Sequence, residues 1–138
     1  AREIVETGID AGYTCEALAL SGAHVVGIDT NVSRSASRLA DFPNVTLVEA
    51  DALRYLTSAS AASIDFAFVD DLHTPPQVTA EARELRRVLK VGGLAVFHDA
   101  HCRDLLQSME AELGDWPHVV LNAPGPTGLC QIYLARKV

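Results

Sequence analysis

The sequence predicts a doubly wound α/β fold: a mostly parallel sheet of seven strands, closed by an antiparallel hairpin. Three observations carry that expectation. Short apolar segments alternate with helical ones along most of the chain. Each of the first five strands ends in or beside an acid: Glu6, Asp29, Asp51, Asp70 and Asp99. The last two strands are separated by a Pro- and Gly-rich gap too short for a helix, and a parallel crossover needs about a dozen residues or more, so these two should pair antiparallel.

The elements follow in order. Residues 4–6 are short, apolar and β-branched, and residues 14–21 read as a helix with Leu18, Ala19 and Leu20 turned inward and Ser21-Gly22 as its close. Residues 24–28 form a second strand ending at Asp29, residues 33–40 a second helix, and Phe42-Pro43-Asn44 a turn. Residues 45–48 are a third strand before Glu49-Ala50-Asp51, and residues 52–57 a short helix before a small-residue loop at 58–63. The nearly continuous apolar run at 64–69 is a strand buried on both faces, ending in Asp70-Asp71. Pro75-Pro76 opens a helix that runs through Leu89, with Lys90-Val91-Gly92-Gly93 as its stop. Residues 94–97 are a fifth strand ending in His98-Asp99, and residues 103–113 an amphipathic helix carrying Leu105, Leu106, Met109 and Leu113 on one side. Residues 119–121 and 129–134 are the closing strands, with 122–128 as the loop between them. Trp116-Pro117 is expected to pack at the sheet edge, Cys15 in the core, and Arg83, Arg86 and Arg87 on a solvated helix face.

Composition narrows the function. The 138 residues are 49% hydrophobic, enough for one core, so residues 1–138 are read as one domain. A net charge of −7 disfavours nucleic acid and anionic membrane as partners, because phosphates would be repelled. It suits hydroxyls, ammonium groups, a sulfonium or a metal ion. Cys15, Cys102 and Cys130 are scattered and form no C-x-x-C, which points to reduced thiols and a cytoplasmic location. No run approaches the ~20 apolar residues of a membrane span, and neither a signal peptide nor helices before the first strand are expected.

In open α/β sheets, ligands bind at the carboxyl ends of the strands where strand order reverses. The first turn, Glu6-Thr7-Gly8-Ile9-Asp10-Ala11-Gly12-Tyr13-Thr14, lacks the G-x-G-x-x-G of dinucleotide binders. Gly8 and Gly12 allow close backbone approach, and the helix start at Thr14 offers N–H groups to a carboxylate. Asp10 would repel a pyrophosphate, so a cofactor without phosphates is favoured over a nicotinamide. Asp29 follows an apolar strand at the position where an acid commonly holds ribose hydroxyls. Helix capping accounts adequately for Asp51 alone.

That ordered set resembles the E-x-G-x-x-x-G-x-[ST] first motif of class I S-adenosylmethionine-dependent methyltransferases. Within them it is closest to the small-molecule O-methyltransferases that include the cephalosporin-hydroxylase-like proteins. The likeness continues through Val26-Gly27-Ile28-Asp29, Glu49-Ala50-Asp51-Ala52-Leu53, Phe66-Ala67-Phe68-Val69-Asp70-Asp71-Leu72-His73 and the stretch from Leu89 to Asp99. The resemblance implies a Rossmann-like sheet and methyl transfer from S-adenosylmethionine to a small molecule, at a hydroxyl oxygen. It implies that Glu6, Gly8 and Gly12 shape the methionine end of the site and that Thr14 helps hold the carboxylate. Asp29 would bind the ribose, Asp51 would face the adenine amino group with Ala50 and Leu53 beside the ring, and Asp70 would lie near the methionyl amine and the moving methyl.

A hydroxyl acceptor must lose a proton, to a base or by acidification on a metal. His73, His98 and His101 follow the fourth and fifth strands. His73 is the expected base, with Asp70 beside it, and His101 is read as a surface or packing residue. Asp70 and Asp99 end adjacent strands in the family's order and would together reach one divalent ion such as magnesium. Relatives often read D-G-D-H where this chain has Asp70-Asp71-Leu72-His73, and carry a third ligand where it has Ala100. A second class of function is a domain that binds S-adenosylmethionine without catalysis, or a degenerate partner subunit. It is motivated by the missing N-terminal cover, which a homodimer partner or the 123–128 loop could supply.

Overall fold

The computed structural model of the protein describes residues 1–125 and 128–138. Its elements are β1 (Glu3–Thr7), α1 (Tyr13–Ala19), β2 (His24–Asp29), α2 (Ser33–Leu39), β3 (Val45–Glu49), α3 (Ala52–Ser58), β4 (Ile64–Val69), α4 (Pro75–Val88), β5 (Leu89–Phe97), α5 (Arg103–Leu113), β6 (His118–Gly125) and β7 (Gly128–Arg136). The seven strands form one sheet in the order β3-β2-β1-β4-β5-β7-β6. The first five are parallel, and β7 runs antiparallel to both β5 and β6. Chain order reverses between β1 and β4, which places the switch point at their carboxyl ends.

Alternation along each strand divides the core in two. Ile4 and Val25 face α1 and α2, where Ile9, Cys15, Ala19 and Leu39 close a small cluster. Val5, Val26, Ala67, Ala95, Phe97 and Tyr133 face α3, α4 and α5 in the larger one. Trp116 joins that larger cluster at 4% exposure, with the Arg86 guanidinium 5.3 Å from its ring centroid. Beyond α1 and α2, the row Phe68, Val96, Leu134 and Val119 crosses the sheet in register, and Val119 is exposed.

Several local expectations need correction. Leu20 is 75% exposed: α1 ends at Ala19, and Leu20 is its C-cap. The residues read as a stop, Lys90 to Gly93, belong to β5, which begins at Leu89 opposite Ile64, with a register shift before Leu94 pairs with Phe66. Gly92 has φ 83 there and donates its N–H to the Lys137 carbonyl. The 122–128 loop is mostly strand, since Asn122 pairs with Gln131 and Pro124 with Leu129. Pro124 falls in β6, the edge strand, where proline is best tolerated within a sheet. Pro126 and Thr127, the centre of the expected cover, lie outside the described residues. The α4 arginines do more than face solvent. Arg87 donates to the carbonyls of Leu56, Thr57 and Ala59 at the end of α3, and Arg86 donates to Asp115 and to the Glu112 carbonyl.

Among the described residues, no helix is long and apolar enough to cross a membrane.

Candidate active site

Backbone hydrogen bonds hold the strand ends level. The Gly8 N–H donates to the Ile28 carbonyl, Ala50 to Asp29, Asp70 to Thr7 and His98 to Val69, all at 2.9–3.0 Å. The acids named from the sequence therefore share one edge. Between them lies a cleft of about 420 Å³, within the usual range for small-molecule sites. Its wall includes Gly8, Asp29, Ala50, Asp51 and Asp70 from the expected set, together with Asp10, Ile28, Thr30, Ala52, Asp71, Leu72 and Gln77.

The turn after β1 is built tightly. Gly8 has φ 77, and a Cβ there would fall on the backbone carbonyl of Asp70, so only glycine lets the two turns meet. Asp10 adopts φ 42, points its N–H at Asp29 Oδ2 at 3.0 Å, and pairs through its carboxylate with Arg34. Asp29 Oδ1 accepts the N–H of Asn31 at 3.1 Å. The Asp29 carboxylate is thus oriented by two backbone donors and retains lone pairs for a diol. Asp51 caps α3, accepting the Arg54 N–H at 2.8 Å, and also lines the cleft, so the capping role and the wall position coexist.

Four expected cofactor residues stand off the wall. Gly12, at φ 83, is the N-cap of α1, packed against Ser35 and Leu39. Thr14 is half-buried in the first turn of α1, and Leu53 is half-buried behind Ala52. Glu6 is only 2% exposed, beneath the turn. Burial pushes its carboxyl up to about 8, against a lowering by the Cys15 thiol and with a further push from Asp70. Among the described residues, its Oε2 has no hydrogen-bond partner. Cys15 is fully buried, as expected of a core thiol, and burial beside Glu6 pushes it up to about 12.

At the β4 and β5 ends, a second group adjoins the cleft. His73 Nε2 lies 3.2 Å from Asp70 Oδ1 and 2.9 Å from Asp99 Oδ2. His98 Nδ1 lies 3.2 Å from Asp70 Oδ1 and 3.0 Å from Asp99 Oδ1. These four donors all fall within 4.8 Å of one another. Asp99 is held at φ 60, a left-handed conformation that a non-glycine residue adopts at a cost. Burial raises the Asp70 pKa, while the two imidazoles pull it back. The all-oxygen set expected from Asp70 and Asp99 is therefore joined by two nitrogens. His101 is exposed, with Nδ1 3.6 Å from Asp99 Oδ1.

The sequence reading passed over three groups. Cys130 arrives from β7 and places Sγ 3.0 Å from His98 Nε2. Gln77 lines the cleft and donates to Glu81 Oε1 at 2.9 Å. Glu81 is fully buried, and burial next to Asp71 raises its carboxyl strongly. An i, i+4 pair of Gln and Glu on the inner face of α4 was the available signal.

The parallel sheet with a reversed strand inserted near one edge, and the acid-walled cleft at its switch point, are those of class I S-adenosylmethionine-dependent methyltransferases. A family model described as a methyltransferase domain matches residues 5–100, and the chain belongs to that family. Among solved structures, the chain is similar to a Klebsiella pneumoniae protein assigned as an O-methyltransferase. The TM-score is 0.84 at 20% identity, over 99% of this chain and 73% of that one. It is similar to the N-methyltransferase NodS of Bradyrhizobium japonicum, solved with S-adenosyl-L-homocysteine (TM-score 0.75, 21% identity, 98% of this chain and 77% of that one). It is also similar to a Thermotoga maritima spermidine synthase (TM-score 0.80, 14% identity, 99% of this chain and 54% of that one). At such identities the likeness establishes fold, and the three are named for different reactions. No curated protein matches the sequence.

Proposed function

We propose that this protein transfers a methyl group from S-adenosylmethionine to a hydroxyl oxygen of a small molecule. The observation that carries the reading is the cleft wall: Asp10, Asp29, Asp51, Asp70 and Asp71 line it, with no Lys or Arg among the described lining residues. Such a wall repels phosphates and favours a ligand carrying a sulfonium and an ammonium. When bound, the cofactor supplies an activated methyl on a positively charged sulfur.

The chain's own residues divide the remaining work. Asp29, fixed by the N–H groups of Asp10 and Asn31, suits a ribose diol. Ala50 and Asp51 suit the base and its amino group, and Gly8 leaves room for the amino-acid end. The unpartnered Glu6 Oε2 fits a polar group reaching it through the turn. Asp70 belongs both to the cleft and to the histidine group, so it joins the cofactor and acceptor sides. With its Nε2–H shared between Asp70 and Asp99, His73 keeps a lone pair at Nδ1. That atom takes the acceptor's proton as the carbon–oxygen bond forms. Orientation supplies most of the remaining acceleration.

The test is calorimetry with S-adenosylmethionine and with NAD, followed by mass spectrometry of hydroxyl- and amine-bearing acceptors. Binding of the first ligand alone, with a mass gain of one methyl on hydroxyl compounds, is expected. Tight NAD binding would overturn the cofactor, and methylation confined to amines would overturn the acceptor.

A further inference from the structure

We infer that Asp70, His73, His98 and Asp99 form a site for one divalent ion of the borderline class, such as zinc or cobalt(II), in preference to magnesium or calcium. The inference deepens the reading above, since it names the ion for the cluster where the acceptor loses its proton.

Three independent features converge. The first is donor chemistry. Two imidazole nitrogens and two carboxylates suit borderline ions, whereas magnesium and calcium take oxygen ligands. The second is spacing. The nitrogen–oxygen contacts are 2.9–3.2 Å, and all four donors lie within 4.8 Å of one another. Ligand atoms about 2.0–2.1 Å from a tetrahedral ion stand roughly 3.3 Å apart, so little movement separates the observed cluster from a coordination shell.

The third feature is His98 itself. Its Nδ1 is buried and makes no well-directed hydrogen bond, although two carboxylates lie close by. Its Nε2 is engaged by Cys130 Sγ at 3.0 Å. A ligating histidine characteristically has its second nitrogen held by an outer partner, which fixes the tautomer and aims the first. Asp99 completes the arrangement, since its φ of 60 is the kind of backbone strain that concentrates at functional sites. Loading requires both ligating nitrogens to be unprotonated. As the ion enters, His73 passes its proton from Nε2 to Nδ1, so in the loaded protein the ion would acidify the acceptor hydroxyl, and His73 serves as the base only when the ion is absent.

The experiment uses tag-free, chelator-stripped protein without cofactor or acceptor, so its result does not depend on methyl transfer. Cobalt(II), zinc, manganese(II) and magnesium chlorides are titrated by calorimetry in buffers of different ionisation enthalpy, and cobalt(II) also by visible absorption. One equivalent of cobalt(II) or zinc is expected to bind at least about 100-fold more tightly than magnesium. The absorption should show d–d bands without a thiolate charge-transfer band. His98→Ala should weaken binding by at least about 100-fold, and Cys130→Ala by roughly 10–100-fold through the outer partner. His24→Ala, on a histidine paired with Glu3 at the other end of the sheet, should change nothing. Folding of each variant is verified by circular dichroism, and His98→Gln is the substitute if His98→Ala does not fold. Magnesium binding as tight as cobalt(II), a strong thiolate band, or unchanged affinity in the His98 variant would each overturn the site. Failure of the stripped protein to bind either cobalt(II) or zinc would overturn it too, while leaving methyl transfer with His73 as base standing.

Discussion

The backbone N–H of Asp10 donates to Asp29 Oδ2 at 3.0 Å, so the turn after β1 and the acid at the end of β2 form one continuous wall. Asp10, itself on the cleft wall and paired with Arg34, thus also aims the acid proposed for the ribose. Asp29→Ala should therefore weaken S-adenosylmethionine by roughly 10–100-fold, the value of one or two charge-assisted hydrogen bonds. Calorimetry measures it, and unchanged affinity would remove Asp29 from the ribose role.

His73→Gln keeps the size and polarity of the side chain but removes the proton acceptor. Turnover should fall by roughly 10²–10⁴-fold while cofactor affinity stays within about twofold. Single-turnover kinetics beside calorimetry separates the two effects. A loss confined to cofactor binding would contradict the base role.

Gly8→Ala forces a side chain into a left-handed turn and onto the Asp70 carbonyl. Neither strand end can yield without breaking the ladder between β1 and β4. A loss of roughly 2–4 kcal/mol is expected in urea unfolding. An unchanged midpoint would show that the two turns are not in fixed contact.

Glu6 titrates near 8 in the folded protein, chiefly because burial disfavours its charge, against an ordinary value of 4.5. The folded state thus holds a proton that the unfolded chain has already released. Its contribution to stability is fully present below pH 4.5 and is lost as pH rises through about 8. Glu6→Gln should lower the melting temperature little at pH 5 and raise it relative to the parent at pH 9. Parallel melting curves for parent and variant across that range would contradict a buried, protonated Glu6.

The fold was legible because each parallel strand is a short apolar run that ends abruptly in an acid, and that boundary is local information. Asp29, Ala50, Asp51 and Asp70 fell on the cleft for the same reason. Leu89 to Gly93 was misread because Gly92-Gly93 satisfies the local signature of a helix stop, while the pairing of Leu89 with Ile64 is a tertiary fact. Asn122 to Gly125 was misread because Pro and Gly mark turns, and only the edge position of β6 makes them harmless in a strand. Glu81 was missed because an i, i+4 Gln–Glu pair also reads as an ordinary solvated helix face, and Cys130 because nothing near it in sequence announces chemistry. One is brought under the cleft by α4, the other beside His98 by a strand running the opposite way.

That opposite-running strand also sets an order of events. Because β7 comes last in chain order among the described strands, Cys130 reaches His98 only after the other strands of the sheet have been synthesised. The parallel half, with its cleft, can assemble while the chain is still emerging. The cluster at the β4 and β5 ends gains Cys130 last, so it is completed after the cleft at the switch point.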